Sequence, residues 1–217
     1  VDNMARFDYY VEDKVARGIE ENRKGQFRLR FLDQQGEAVK GVRVKVKQMR
    51  HAFHFGATTF FLDQMETPEL NALYEEKFKK LFNFAVIPLY WDTLEPERGK
   101  PRFAKDSPFI SRRPPLDTAV EFCEKNGIEM KGHCLIYNSF QPDWLSKNNR
   151  EIKIEVDRRL SELAVRYGDK FVDVDVINEM LTIYKNCYKG NGCRNLQIAD
   201  EKKKKKWCFD LCKHHFP

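Results

Sequence analysis

The chain has 217 residues, of which 41% are apolar, 39 basic and 33 acidic, for a formal charge of +6. That is enough apolar content for a real core, yet no run approaches the ~20 consecutive apolar residues that a membrane span needs. Basic and acidic residues are mixed along most of the chain, so neither a membrane nor a nucleic-acid partner is expected. The start, Val1-Asp2-Asn3-Met4, carries no basic-then-apolar leader, and a leader removed earlier stays an open alternative.

In chain order, Val11, Val15 and Ile19 fall four apart and predict a short amphipathic helix over 8–22. Two alternating runs follow: Phe27, Leu29 and Phe31, then Val42, Val44 and Val46, broken by Asp33-Gln34-Gln35-Gly36. They predict two antiparallel strands with one apolar face. Two strands do not stand alone in water, so residues 1–50 are expected to pack on the main domain, 51–217.

From His51 the pattern becomes strand, helix, strand, helix. Strands are expected over 51–60, 84–89, 128–135 and 171–179. Thr67-Pro68 opens the first intervening helix as cap and first helical residue, with Leu70, Leu73, Tyr74, Phe78 and Leu81 as its stripe. The second spans 116–126 and is ended by Gly127. Ile152, Val156, Leu160, Leu163, Ala164 and Tyr167 mark the third, and 199–214 the fourth. Four consecutive βα units imply a parallel sheet covered by helices, closed either as an open sheet or as a barrel. The first strand-to-helix turn lacks the glycine pattern of a nucleotide-binding sheet. The fold class is therefore α/β: the first four βα units of a (β/α)8 TIM barrel, preceded by a short helix and a small antiparallel β segment. A whole barrel needs about 250 residues. The missing C-terminal half is expected from elsewhere, or else a self-associating partner covers the open edges.

The lysine block at 202–206 adjoins Trp207, Cys208, Leu211 and Cys212 at helical spacing and reads as a solvated helix face, with an anion contact as the alternative. Cys123 and Cys134 read as small core residues. Cys187 and Cys193 bracket a glycine-containing loop, and a disulfide there depends on an oxidising compartment. Cys208, Cys212 and His215 share a helix face, but three ligands in one short patch do not make a zinc site. No metal and no cofactor are expected, because neither a His/Asp metal spacing nor a glycine-rich phosphate loop occurs.

In a parallel barrel, chemistry projects from the C-terminal ends of strands. That rule selects Trp91, His133, Asn178 and Glu179. Alternation along the fourth strand puts Asp173, Asp175, Ile177 and Glu179 on one face, with the two aspartates read as structural. A carboxylate at the rim of an enclosed aromatic mouth is poorly solvated, which favours the protonated form a general acid needs. A rim salt bridge is the plain alternative for Glu179, and a satisfied strand histidine for His133.

Asp175-Val176-Ile177-Asn178-Glu179 resembles the acid/base strand of glycoside hydrolase family 10, the retaining endo-β-1,4-xylanases. Phe82-Asn83 with the run from Trp91 to Gly99, then Lys131-Gly132-His133-Cys134-Leu135, then Pro142-Asp143-Trp144-Leu145 are similar to further family motifs, in the same order. The resemblance implies that Glu179 protonates the leaving glycosidic oxygen and later activates water. It implies that Asn178 binds the sugar hydroxyl beside the reacting carbon, that His133 binds the sugar of the cleaved bond, and that Trp91 and Trp144 pack the loops. Three departures stand out. Val86, Ile87 and Tyr90 match a usual Glu-Asn pair and Lys that bind a sugar away from the cleavage point. Tyr137-Asn138 matches a usual Trp-His, and both are carried over as substrate-binding residues. The nucleophile, which the family takes from strand seven, is not among these 217 residues, and Glu95 and Glu97 match residues that are not catalytic. The expected function is hydrolysis of xylan or a related plant or algal β-glycan by the whole protein, secreted or periplasmic, with the 217-residue chain alone inactive. The alternative is a non-catalytic or altered-specificity carbohydrate-binding barrel.

Overall fold

The structure, a computed structural model, describes residues 8–179 and 201–216. The chain divides into two compact units, Val1–Met49 and Arg50–Pro217. Unit one begins with helix α1, Asp8–Asn22. The antiparallel segment after it is one bridge, Leu32 to Ala38, closed by Asp33, whose Oδ1 accepts from the backbone of Gln35 and Glu37, both at 2.9 Å. Beyond that bridge the two alternating runs form no ladder, which corrects the expected strand pair. Two strands alone rarely stabilise a longer one.

Unit two is built on four parallel strands in sequential order: β1 Gly56–Thr58, β2 Phe84–Pro88, β3 Glu129–Ile136 and β4 Phe171–Ile177. Helices α2 Pro68–Leu81, α3 Trp91–Leu94, α4 Leu116–Asn126, α5 Asn149–Tyr167 and α6 Glu201–His215 complete it. Local chemistry sets their ends. Thr67 accepts from Leu70 N with Pro68 behind it, Gly127 takes the left-handed conformation at φ 63°, and Asn148 accepts from the amides of Arg150 and Glu151.

One sheet face is sealed. Ala85, Ile87 and Met130 are buried there against the apolar faces of α4 and α5, among them Ala119, Cys123, Ile152, Val156 and Leu160. The other face carries Phe84, Val86, Lys131, His133 and Asp175, all only partly buried. On α2 only Phe78 is buried, while Leu70, Leu73 and Leu81 of its expected stripe are exposed. The helix meets β1 through the Tyr74 hydroxyl, which donates to Thr58 O at 3.3 Å, and α4 through Phe78 against Phe122 at 5.9 Å. On α6, Lys202, Lys203 and Lys206 are exposed, but Lys204 is buried in line with Cys208 and Cys212. Cys187 and Cys193 lie outside the described residues. No helix among the described residues is long and apolar enough to cross a membrane.

Two strands differ in length from expectation by more than one residue. β4 stops at Ile177, two residues before Glu179. β1 is three residues long rather than ten, because the side chain of Asn83 takes over the backbone of the segment before it. Its Oδ1 accepts from Phe55 N at 2.8 Å, and its Nδ2 donates to the carbonyls of His51 at 2.8 Å and Phe53 at 2.9 Å. These bonds replace a ladder with a side-chain clamp. Asn83→Ala should destabilise the protein by about 1–3 kcal/mol, read as a lower urea midpoint at unchanged slope. An unchanged midpoint would show that the clamp carries no stability.

Candidate active site

The C-terminal ends of β2, β3 and β4 lie side by side and lead into Tyr90, into Tyr137 and Asn138, and into Asn178 and Glu179. Pairing continues past the strands themselves: Leu89 N donates to His133 O at 2.7 Å and Asn178 N to Ile136 O at 2.9 Å. The His133–Cys134 peptide bond is cis.

His133 and Asp175 are register partners on β3 and β4. Asp175 Oδ2 lies 2.7 Å from His133 Nδ1, and its Oδ1 is 2.8 Å from Lys131 Nζ. Burial works against the Asp175 charge, but the bonds from Lys131 and His133 outweigh it and hold the carboxyl below the usual aspartate range. An ionised carboxylate only accepts, so Nδ1 carries the proton and Nε2 is left as the nitrogen that can meet a ligand. Tyr90 packs edge-on against the imidazole at 5.6 Å. Asp173, by contrast, is exposed.

Glu179 sits just beyond β4 in the left-handed region, at φ 50°. The predicted alternation breaks before it, because Val176 and Ile177 both pack toward the buried core. The Tyr137 hydroxyl hydrogen-bonds Glu179, and burial together with this bond pushes the phenol up to about 12. Glu179 is itself exposed, so the poorly solvated mouth expected around it is not formed by the described residues. Four strands supply one wall only. Asn178 is half-buried beside it. Asn138 starts a short 3-10 turn, Asn138–Phe140, and is buried, its Oδ1 accepting from Gln141 Nε2 at 3.4 Å.

Aromatic rings floor the same end of the sheet. Tyr90 lies 4.5 Å from Phe140, 6.2 Å from Phe60 and 6.3 Å from Tyr137. The guanidinium of Arg113 lies 4.4 Å from the Tyr90 ring centroid. Trp91 and Trp144 meet edge-to-face at 5.7 Å and donate to the side chain and backbone of Glu95 at 3.0 and 2.9 Å. Glu95 is buried and also bound by Arg158, which makes it a loop anchor.

The model of the family described as Glycosyl hydrolase family 10 matches residues 48–199. The chain belongs to that family. Endo-1,4-beta-xylanase 1 of Arabidopsis thaliana is 30% identical over 186 residues, covering 83% of this chain and 18% of that protein. Anti-sigma-I factor RsgI6 of Acetivibrio thermocellus is 28% identical over 178 residues, 78% of this chain and 21% of its own length. The fold is similar to xylanase 10B of Thermotoga petrophila, solved in complex with xylobiose, with a TM-score of 0.54 at 20% identity, over 75% of this chain and 46% of that one. The family-10 chain thus spans less than half the length of each.

Within this family-10 frame, the structure separates the apolar departures of β2. Val86 lies on the open face, whereas Ile87 is fully buried toward the helices, so the two cannot line one cleft. Tyr90 stands among the mouth aromatics. Of the Lys131–Asp175–His133 cluster the sequence points to His133 alone as a site residue, with Asp175 read as structural, and it gives no sign of Arg113. A lysine and a histidine two apart on a strand, opposite an aspartate, carry that signal only once the strand register is known.

The Asp175 bonds set a pH dependence. A depressed folded-state pKa contributes stability that is present above the unfolded value of about 4 and is lost as pH falls through the folded value. Asp175→Asn should lower stability at neutral pH and flatten the decline below about pH 4. Thermal melts across pH 2–7 would check this, and parallel curves for the two proteins would refute it.

Proposed function

We propose that this chain contributes the acid/base half of a retaining β-1,4-glycan hydrolase acting on xylan or a related plant or algal β-glycan. The observation that supports it most directly is the Glu179 carboxylate, hydrogen-bonded to Tyr137 one strand away from a histidine held by Asp175. In this reading Glu179 protonates the leaving oxygen as the glycosidic bond breaks, then takes a proton from the water that releases the sugar from a covalent intermediate. Asn178 binds the hydroxyl beside the reacting carbon, and His133, through Nε2, accepts from a hydroxyl of the same sugar. Tyr137 orients Glu179, and Asn138 supports the turn that presents Tyr137. The nucleophile must stand about 5–5.5 Å from Glu179, and we assign it to the other wall of the barrel. The xylobiose-bound relative supports a β-glycan ligand, and a polymeric substrate supports a site of action outside the cytoplasm.

A second reading, a carbohydrate-binding barrel without turnover, is favoured by the apolar Val86 and Tyr90 and by the resemblance to an anti-sigma-I factor. One comparison separates the two. Glu179→Gln should reduce sugar release from xylan by the whole protein by about 10²–10⁴-fold, the range for removing a general acid, while xylo-oligosaccharides still bind. The 217-residue chain by itself should release none. Binding without turnover in the unaltered whole protein would favour the second reading.

A further inference from the structure

The geometry points to a carboxylate-recognising subsite at this mouth, centred on Arg113 and suited to a uronic-acid substituent on the glycan. The inference rests on the glycan reading above and names the substrate class within it.

Arg113 lies in the segment between α3 and α4, and its guanidinium covers Tyr90 at 4.4 Å, Phe60 at 4.9 Å and Phe140 at 5.8 Å. Tyr90 in turn touches His133 and Tyr137, so the cation stands one ring away from the groups proposed for chemistry. Its charge is poorly compensated. Among the described residues no carboxylate lies within ion-pair distance of it. Nη1 donates to the neighbouring carbonyl of Arg112 at 2.9 Å, and Nε is buried without a partner. The carboxylate of Asp92, whose charge reaches Arg113, accepts instead from Thr93 N at 2.7 Å.

The other arginines packed into this unit are differently provided for. Arg158 meets Glu95, Glu155 and Glu162, and Arg166 meets Asp117. Arg102 donates to three backbone carbonyls, and the fully buried Arg159 donates to the carbonyls of Leu89 and Leu135 beside Trp91, its Nε also without a partner. Arg113 alone among these pairs a half-buried guanidinium with rings and one local carbonyl. A second cation, Arg112, lies over the same Phe60 ring at 5.3 Å, and two like charges on one ring repel each other. A bound carboxylate would neutralise that pair and could accept two parallel N–H bonds from the planar fork of Arg113. The surrounding rings offer faces for sugar stacking. A neutral sugar would leave the charge as it is.

The test uses the unaltered whole protein and two non-hydrolysable, thio-linked xylotetraoses, one bare and one carrying a glucuronic acid branch, titrated calorimetrically. We expect the acidic ligand to bind at least tenfold tighter at low salt, with the ratio shrinking as salt rises. In Arg113→Gln the ratio should fall to about one. In Arg113→Lys it should be intermediate, since charge is kept and the fork lost. Equal affinities in the unaltered protein would overturn the inference and leave the glycan reading standing. An undiminished acidic preference in Arg113→Gln would overturn the assignment to Arg113. Binding of neither ligand would remove the glycan reading, and the inference with it. Should Arg113→Gln fail to fold, the ligand comparison on the unaltered protein and Arg113→Lys decide the matter.

Discussion

One buried guanidinium holds the working end of the sheet in place. Arg159 reaches from α5 beneath the strands and donates to the carbonyls of Leu89 and Leu135, while Trp91 lies over it at 5.2 Å. It is 3% exposed, and burial pulls it down to about 10, so it remains charged at neutral pH. A buried charge is tolerable only when it is hydrogen-bonded, and here both terminal nitrogens are met by backbone at the ends of two adjacent strands, while Nε has no partner. Leu89 immediately precedes Tyr90, and Leu135 stands two residues before Tyr137. The helix therefore fixes how far each strand runs before its aromatic residue turns into the mouth.

A second ionic cluster braces the loops that these strand ends enter. Glu95 accepts from Trp91 Nε1 at 3.0 Å, from Gly99 N at 2.7 Å and from Arg158 Nη2 at 2.7 Å. Arg158 also binds Glu155 and Glu162 on its own helix, and Arg98 binds Glu155 from the loop. Burial opposes the charge of Arg158, but its carboxylate partners outweigh it and raise its pKa. Because Trp144 donates to the Glu95 carbonyl, the loops after β2 and β3 are tied to each other and to α5. That bracing suits a site whose rings must stay in place to stack on sugar.

Where local chemistry decided the structure, the sequence was readable. Thr67-Pro68 and Gly127 marked helix ends because a cap bond and a left-handed turn are local events. The apolar runs of β2 and β3 were readable because both are flanked by strands and sealed on one face. What was not readable depended on distant partners. Residues 51–55 look like strand by composition, but their backbone groups are taken by Asn83, 28 to 32 positions away. The stripe of α2 has the spacing of a buried face, yet Leu70, Leu73 and Leu81 are exposed and only Phe78 is buried. The end of β4 was overrun by two residues because alternation was extended through a break that register shifts in the β3–β4 pair introduce. Within the site, His133, Asn178 and Glu179 stood out by their position at strand ends. Lys131 and Arg113 did not, since a cation's role is set by which carboxylates and rings surround it.

The polar relay on the open sheet face bears on how such a site is assembled. Lys131, His133 and Asp175 satisfy one another across β3 and β4 alone, so the orientation of the histidine needs no contribution from an opposite wall. Tyr137 likewise engages Glu179 from the adjacent strand. A sheet that orients these groups internally presents them preorganised, and preorganised dipoles cost little to rearrange during reaction. The solvation of Glu179 is a different matter, because one wall cannot exclude water from an exposed carboxylate. On the proposed reading, then, orientation is a property of four strands, whereas exclusion of water from the acid/base carboxylate belongs to the closed barrel.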